Sequence, residues 1–139
     1  MKTLLSIVLV LTVFVFANPA DINAQTSKRL TATPKAFQAF FAKFKTAAIK
    51  RDRTAVASMT KFPFKYGWDA GDEGSYNRAQ FISNFSRIFD GTGSFFERKN
   101  PKFYTESGSF DLTNENDASH YIFEKRGSTY KFTAFIAEP

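Results

Sequence analysis

The stretch KFPFKYGW, residues 61–68, places an aromatic ring at every second position. A period of two is typical of a β-strand, because successive side chains point to opposite faces of a sheet. The four rings on one face, Phe62, Phe64, Tyr66 and Trp68, would together remove about 600–1,000 Å² from water. A monomer seldom leaves so large an apolar patch exposed. The pattern therefore predicts a strand whose ring-bearing face is largely covered, with Phe62 and Phe64 in the core.

The segment before this strand has the pattern of an amphipathic helix over residues 34–50. Thr33 is expected to cap it and Pro34 to occupy its first turn. Asp52 is expected to cap a shorter second helix over 53–59. One face of the long helix carries Phe37, Phe40, Phe41, Phe44 and Ala48.

The segment after the strand predicts a loop and then a third helix. Residues 69–76 (DAGDEGSY) are expected to form the loop. Asn77 then caps a helix over 78–89, with Gln80 at the position of a capping-box partner. Because Pro63 has no amide hydrogen to donate, the preceding strand is expected at a sheet edge or to begin near this residue.

The last part of the chain predicts antiparallel strands. A two-residue turn at 126–127 would pair Phe123 with Tyr130 and place their rings on one face. His120 would then lie on the opposite face. The predicted strands span residues 102–106, 108–112, 118–125 and 129–137.

The first residues have the pattern of a secretory signal. An uncharged apolar run, LLSIVLVLTVFVFA, is too short for a typical membrane span of about 20 residues and suits a signal core. We expect a signal peptide over 1–24, a flexible leader over 25–33 and a single domain over 34–139. A retained anchor is the alternative. The predicted location is the bacterial periplasm or the medium, with no membrane span once the signal is removed.

The composition limits the kinds of stabilisation and partner. The chain has 18 phenylalanines and no cysteine, so its core must provide the stability without disulfides. The net charge is +6, but the basic residues are dispersed along the chain. We therefore expect no nucleic-acid partner.

The order of two helices, a strand, a third helix and a run of antiparallel strands resembles the nuclear transport factor 2-like (NTF2-like) superfamily, also called cystatin-like cone folds. The resemblance is carried by the stretches PKAFQAFFAKF, KFPFKYGW and YKFTAFIA and covers about residues 34–137. It implies an α+β fold with N-terminal helices packed on a curved antiparallel sheet. It also implies a conical cavity at the open end. Small exported bacterial proteins of unknown role belong to this superfamily.

The expected function is non-catalytic binding of a small apolar or amphipathic ligand in an aromatic-lined cavity. The predicted wall residues are Tyr66, Trp68, Tyr104 and His120. A protein–protein interaction module of the periplasm or cell surface, which includes a homodimer, is the first alternative. A dehydratase- or isomerase-like enzyme using Asp69 or His120 is the second.

Other site chemistries find no support in the sequence. There is no Gly-x-Ser-x-Gly elbow and no glycine pattern that would hold a phosphate. One histidine and no cysteine give no zinc-ligand spacing. We therefore expect no catalytic residue set, no metal site and no cofactor. The acidic group Asp69, Asp72 and Glu73 is interpreted as a solvated loop, with a calcium site as the alternative.

Overall fold

The structure, a computed structural model, describes residues 29–30, 32–68 and 71–138. The predicted signal peptide, most of the leader and Asp69 lie outside the described residues. The helices are α1 (Lys35–Ile49), α2 (Arg53–Ser58), α3 (Arg78–Ser83), α4 (Phe85–Phe89) and α5 (Gly93–Phe96). The strands are β1 (Arg29–Leu30), β2 (Thr60–Trp68), β3 (Asp72–Tyr76), β4 (Phe103–Glu106), β5 (Ser109–Asn114), β6 (Ser119–Arg126) and β7 (Thr129–Ala137).

The strands form one sheet in the order β1-β4-β5-β6-β7-β2-β3. The helices pack against this curved sheet, which confirms the α+β class. The sheet differs from the expected antiparallel sheet in one respect: β2 and β7 run parallel. The long connection between them, which contains α3 to α5 and β4 to β6, gives the chain room for the crossover that a parallel pair requires.

The strand that carries the aromatic stripe is confirmed. Of the two positions expected from Pro63, a sheet edge and a strand start, the structure has the second: β2 begins at Thr60, three residues before Pro63. It lies between β7 and β3. Its pairing with β7 is interrupted between Thr60 and Lys65, and its pairing with β3 begins at Phe64. Pro63 is therefore in a stretch without ladder pairing, so its missing amide hydrogen removes no hydrogen bond from the sheet.

The prediction of a loop over 69–76 is wrong for residues 72–76, which form β3. This strand pairs antiparallel with β2, so that Tyr76 lies opposite Phe64 and Asp72 opposite Trp68. Only Tyr76 is buried, and the four residues before it are exposed. A strand with both faces in water shows no alternation of apolar and polar residues, and so the sequence pattern did not reveal it.

The helix predicted over 78–89 is two helices that meet at Asn84. Its predicted start is confirmed: the Asn77 side chain accepts from the Gln80 amide, and the Gln80 side chain accepts from the Asn77 amide, both at 2.9 Å. The amide side chain of Asn84 donates to the Gln80 carbonyl at 2.9 Å. Such local side-chain bonds compete with helical bonding, which accounts for the break.

The first two helices begin close to the predicted residues. The Asp52 carboxylate accepts from the Ala55 amide at 2.9 Å, so the predicted cap of α2 is confirmed. At α1 the cap position is Pro34 rather than Thr33, and no side chain caps the helix. Proline's fixed φ favours it at a helix start without any side-chain bond.

The hairpin of β6 and β7 differs in register from the prediction. Arg126 pairs with Thr129 and Phe123 with Phe132, which moves the turn to residues 127–128. Gly127 has a φ of 61°, a value that glycine adopts without steric cost. Between Ile122 and Phe123 the register shifts, because Thr133 is an extra residue in β7. This bulge lets Phe132 and Phe135, three positions apart, both face the helices.

The core is built from rings of the helices and of the sheet. Phe44 of α1 lies 5.0 Å from Phe123 and 5.1 Å from Phe132, measured between ring centroids. Phe64 of β2 lies 4.7 Å from Phe132 and is fully buried. Phe40 is half-buried and packs against this cluster. Rings of the long helix and of the aromatic stripe thus contact the same buried ring, Phe132, whereas Phe62, which was expected in the core, is half-buried and packs against it.

Candidate functional site

Phenylalanine rings fill the space between α1 and the sheet. Phe37, which has no exposed surface, stacks on Phe110 at 4.3 Å and meets Phe103 and Tyr130 edge-on at 5.0 and 5.1 Å. Centroid distances of this size are those of rings in direct contact. The interior between these elements is therefore packed, and an opening for a ligand has to be sought at its margin.

Two of the four predicted wall residues, Tyr66 and Trp68, lie on the helix-facing side of β2. Tyr66 stacks on Tyr76 at 4.2 Å, and Trp68 lies 4.8 Å from Phe135. Gly74, opposite Tyr66, makes this placement possible, since a β-carbon there would lie 2.8 Å from the tyrosine hydroxyl. Both aromatic residues therefore help to hold β2 and β3 against the core.

The side chain of Arg87 lies over the ring of Trp68. The Arg87 guanidinium lies 4.3 Å from the ring centroid and forms an ion pair with Asp72 at 2.5 Å. The hydrogen bond that Arg87 donates to the Asp72 carboxylate raises the pKa of Arg87 above its usual value. The indole nitrogen of Trp68 is buried and has no hydrogen-bond partner within the described part of the chain. This group joins α4 to the β2–β3 hairpin.

The other two predicted residues lie on the opposite face of the sheet. Tyr104 is paired with Asp111, and His120 precedes Tyr121, whose ring packs in the core. Tyr104 borders an opening of about 140 Å³ next to Phe95. His120 borders a second opening of about 140 Å³. The four predicted residues are thus divided between two faces and do not surround one cavity.

His120 belongs to a polar cluster with Asp111, Thr113 and Glu138. Its Nδ1 lies 2.9 Å from an Asp111 oxygen and 3.2 Å from the Thr113 hydroxyl. Its Nε2 lies 3.4 Å from a Glu138 oxygen. Asp111 and His120 are both buried.

This cluster holds its imidazole between two carboxylates. Such an arrangement fixes the ring and ties β5, β6 and the end of β7 together. A general base needs its free ring nitrogen to face a substrate proton, and here Glu138 faces Nε2. The geometry supports a stabilising role for His120 better than a catalytic one. Asp69, the other candidate base, lies outside the described residues.

A larger groove opens between α1 and the segment that leads into β4. It has a volume of about 410 Å³. Phe37 and Phe41, one helical turn apart on α1, form its floor with Phe103, which meets Phe41 edge-on at 4.9 Å. The remaining lining residues are Thr33, Gln38, Ala42, Lys45, Lys99, Asn100 and Pro101.

Two lysines border this groove from opposite walls. Lys45 follows Phe41 by one helical turn and is half-buried, whereas Lys99 comes from the segment before β4 and is exposed. None of the lining residues is acidic. The sequence interpretation missed this site. The i, i+4, i+8 series of Phe37, Phe41 and Lys45 was its one visible signal.

Comparison with protein-family models and with curated proteins gives no match for this sequence. Among solved structures, the chain is similar to a protein from Xanthomonas campestris that is provisionally assigned as a calcium/calmodulin dependent protein kinase II association domain. The identity is 18%, the TM-score is 0.42, and the alignment covers 79% of this chain and 94% of that one. A likeness at this level supports no conclusion about assembly or activity. The fold is defined by the helices and strands of this chain itself. Within the described ranges, no helix is long and apolar enough to cross a membrane.

Proposed function

We propose that this protein is an exported, non-catalytic domain that binds a small amphipathic ligand in the groove between α1 and β4. The groove volume of about 410 Å³ carries the proposal, because small-molecule sites commonly measure about 300–1,000 Å³. Its aromatic floor and polar rim suit a ligand with one apolar and one polar end. The export of the protein rests on the signal pattern of residues 1–24.

We expect the groove to bind a small amphipathic ligand with modest affinity. Its three phenylalanines are nearly fully buried, so that only their edges contribute to the floor. Burying about 200 Å² of apolar surface would contribute about 5 kcal/mol before the cost of immobilising the ligand is subtracted, so apolar contacts alone should give a dissociation constant no tighter than about 0.2 mM. Contacts at the rim must supply any tighter binding.

Filling the groove tests this proposal. Ala42 is exposed on α1 and lines the groove, so the ring in Ala42→Trp should occupy the ligand's place without disturbing the core. Ala39→Trp is the matched control, since Ala39 is also exposed on α1 but does not line the groove. The measurement is an NMR titration of isotope-labelled protein with octanoate and with octanol.

We expect chemical-shift changes around Phe41 and Phe103 in the parent protein and in Ala39→Trp. Ala42→Trp should weaken the binding of octanoate and octanol at least tenfold. Unchanged binding by Ala42→Trp, or shifts confined to another face, would contradict the proposal.

Interaction with another protein, including a second copy of this chain, is the second candidate. It is favoured by a depression on α1 and α2 in which apolar and polar side chains alternate; the lining residues are Ala42, Ala47, Ala55 and Met59 together with Lys43, Thr46, Lys50, Asp52 and Ser58. Ile49 at the end of α1 is also exposed. Sedimentation of the protein over a range of concentrations tests self-association directly.

A further inference from the structure

We infer that the ligand of the groove is an anionic amphiphile whose head group binds between Lys45 and Lys99. This inference rests on the proposed function and adds the charge of the ligand to it. The apolar part would lie along the edges of Phe41 and Phe103, and the negatively charged part would lie at the rim.

The ammonium groups of Lys45 and Lys99 border the same groove from two different parts of the chain. Lys45 lies on the same helical face as Phe37 and Phe41, so its side chain borders the groove whose floor those rings form. Lys99 borders the same groove from the segment before β4. A ligand on the aromatic floor therefore has a cation on each wall.

Within the described residues, no negative charge compensates the two lysines of the groove. Among the described residues three arginines have acidic partners, Arg51 with Asp90, Arg87 with Asp72 and Arg126 with Glu124, and no lysine does; what distinguishes Lys45 and Lys99 from the other lysines is that they border the groove. Within the ranges that the structure describes, neither Lys45 nor Lys99 forms an ion pair or a side-chain hydrogen bond. The net charge of +6 adds a general attraction for anions.

The positive charge of the rim makes other kinds of ligand unfavourable. A cationic amphiphile would place its head group beside two uncompensated ammonium groups. In the chain's own leader, Arg29 and Leu30 pair with β4 and Thr33 lines the groove itself, and the stretch QTSKRLTAT contains no acidic residue that would suit this rim. A carboxylate and a sulfate head would both satisfy the lysines, and the choice between them is part of the test.

The experiment compares amphiphiles that share one chain and differ in head group. Octanoate, octyl sulfate, octanol and octylamine are titrated into the protein below their micelle concentrations, and binding is followed by NMR shifts and by calorimetry. The two anions should bind about five- to tenfold more tightly than octanol, because a partly exposed ion pair contributes at most about fivefold and two lysines are present. Octylamine should bind more weakly than octanol.

In the double variant Lys45→Met, Lys99→Met, octanoate should bind no more tightly than octanol binds to the same variant. Lys43→Met is the control, because Lys43 lies about 160° around α1 from Lys45 and does not line the groove. The preference for anions should also decrease as salt is raised from low to physiological concentration. A carboxylate-specific site would bind octanoate better than octyl sulfate.

The possible results distinguish an error in the charge of the ligand from an error in the proposed binding site. Equal affinity for octanol and the anions, with loss of both in Ala42→Trp, would overturn the charge assignment and leave the ligand-binding function intact. Tighter binding of octylamine would also overturn it. If no amphiphile binds, both proposals fail. A preference for anions that persists in the double lysine variant would show that other residues bind the head group.

Discussion

Tyr121 shows how one polar atom is accommodated in a core of phenylalanines. Its side chain is 1% exposed, and its ring contacts those of Phe96 and Phe135 at 5.1 Å. The hydroxyl donates to the Ile88 carbonyl at 3.2 Å, which links β6 to α4. Burial disfavours the charged phenolate and therefore raises the pKa of Tyr121 above its usual value.

This raised pKa predicts a loss of stability at high pH. Because the folded protein retains the phenol proton after the unfolded chain has lost it, the stabilisation is complete below about pH 10 and decreases as the pH rises above that value. For this one group the slope is at most about 1.4 kcal/mol per pH unit. Urea unfolding of the parent and of Tyr121→Phe at several pH values measures it.

The Tyr121→Phe variant should lose about 1 kcal/mol at neutral pH through its missing hydrogen bond, and its stability should decline less steeply above pH 10. Tyr104→Phe, at a half-buried position, is the control for general alkaline effects. Equal slopes for the parent and Tyr121→Phe would show that this phenol does not govern the alkaline limit.

At the scale of elements, α3 is the helix whose start is best defined. It has only six residues, too few to be stable alone, so it depends on its capping box and on burial of Phe81. Asn77 and Gln80 exchange side-chain and amide hydrogen bonds at its first turn. The cap also orients α3 as the chain leaves β3.

Removal of this cap should destabilise the protein measurably. We expect Asn77→Ala to lower the free energy of unfolding by about 1 kcal/mol, because the Gln80 amide loses the side-chain oxygen that accepts its hydrogen bond. Asn116→Ala, at an exposed turn position whose side chain makes no hydrogen bond with described residues, should change it by less than about 0.5 kcal/mol. Thermal and urea unfolding of both variants provide the comparison, and equal losses would argue against the cap.

At the scale of the whole molecule, the sheet is open and β3 forms one of its edges. An edge strand exposes unpaired backbone groups that can pair with another copy of the chain. Here β3 is short and carries Asp72 and Glu73, both exposed. Such charges oppose edge-to-edge association and so protect this edge.

Neutralising the edge should promote self-association. Glu73→Val removes a charge and introduces a residue that favours strands, so we expect concentration-dependent oligomers in sedimentation velocity experiments. Glu97→Val changes the same charge at an exposed position after α5 and should sediment as the parent does. Oligomers in both variants would indicate that net charge, not the edge, controls association.

Local patterns of the sequence predicted most of the fold. The period of two in residues 61–68, the helical spacing of the rings in α1 and the capping box at Asn77 are local signals, and the structure confirms each of them. The prediction was wrong where neighbours across the sheet decide the conformation. Exposed β3 has no alternation of its own, and the extra residue at Thr133 is defined only by its partner strand.

By itself the sequence determined a core rich in phenylalanine and an α+β chain whose first helix and aromatic strand must meet, because burying so many rings requires it. Tertiary structure alone decided which rings fill the interior and where an opening remains. Lys45 and Lys99 are 54 positions apart and share a groove only because the chain before β4 passes beside α1. Side-chain spacing along a chain specifies one face of one element, whereas a site between elements depends on how those faces pack.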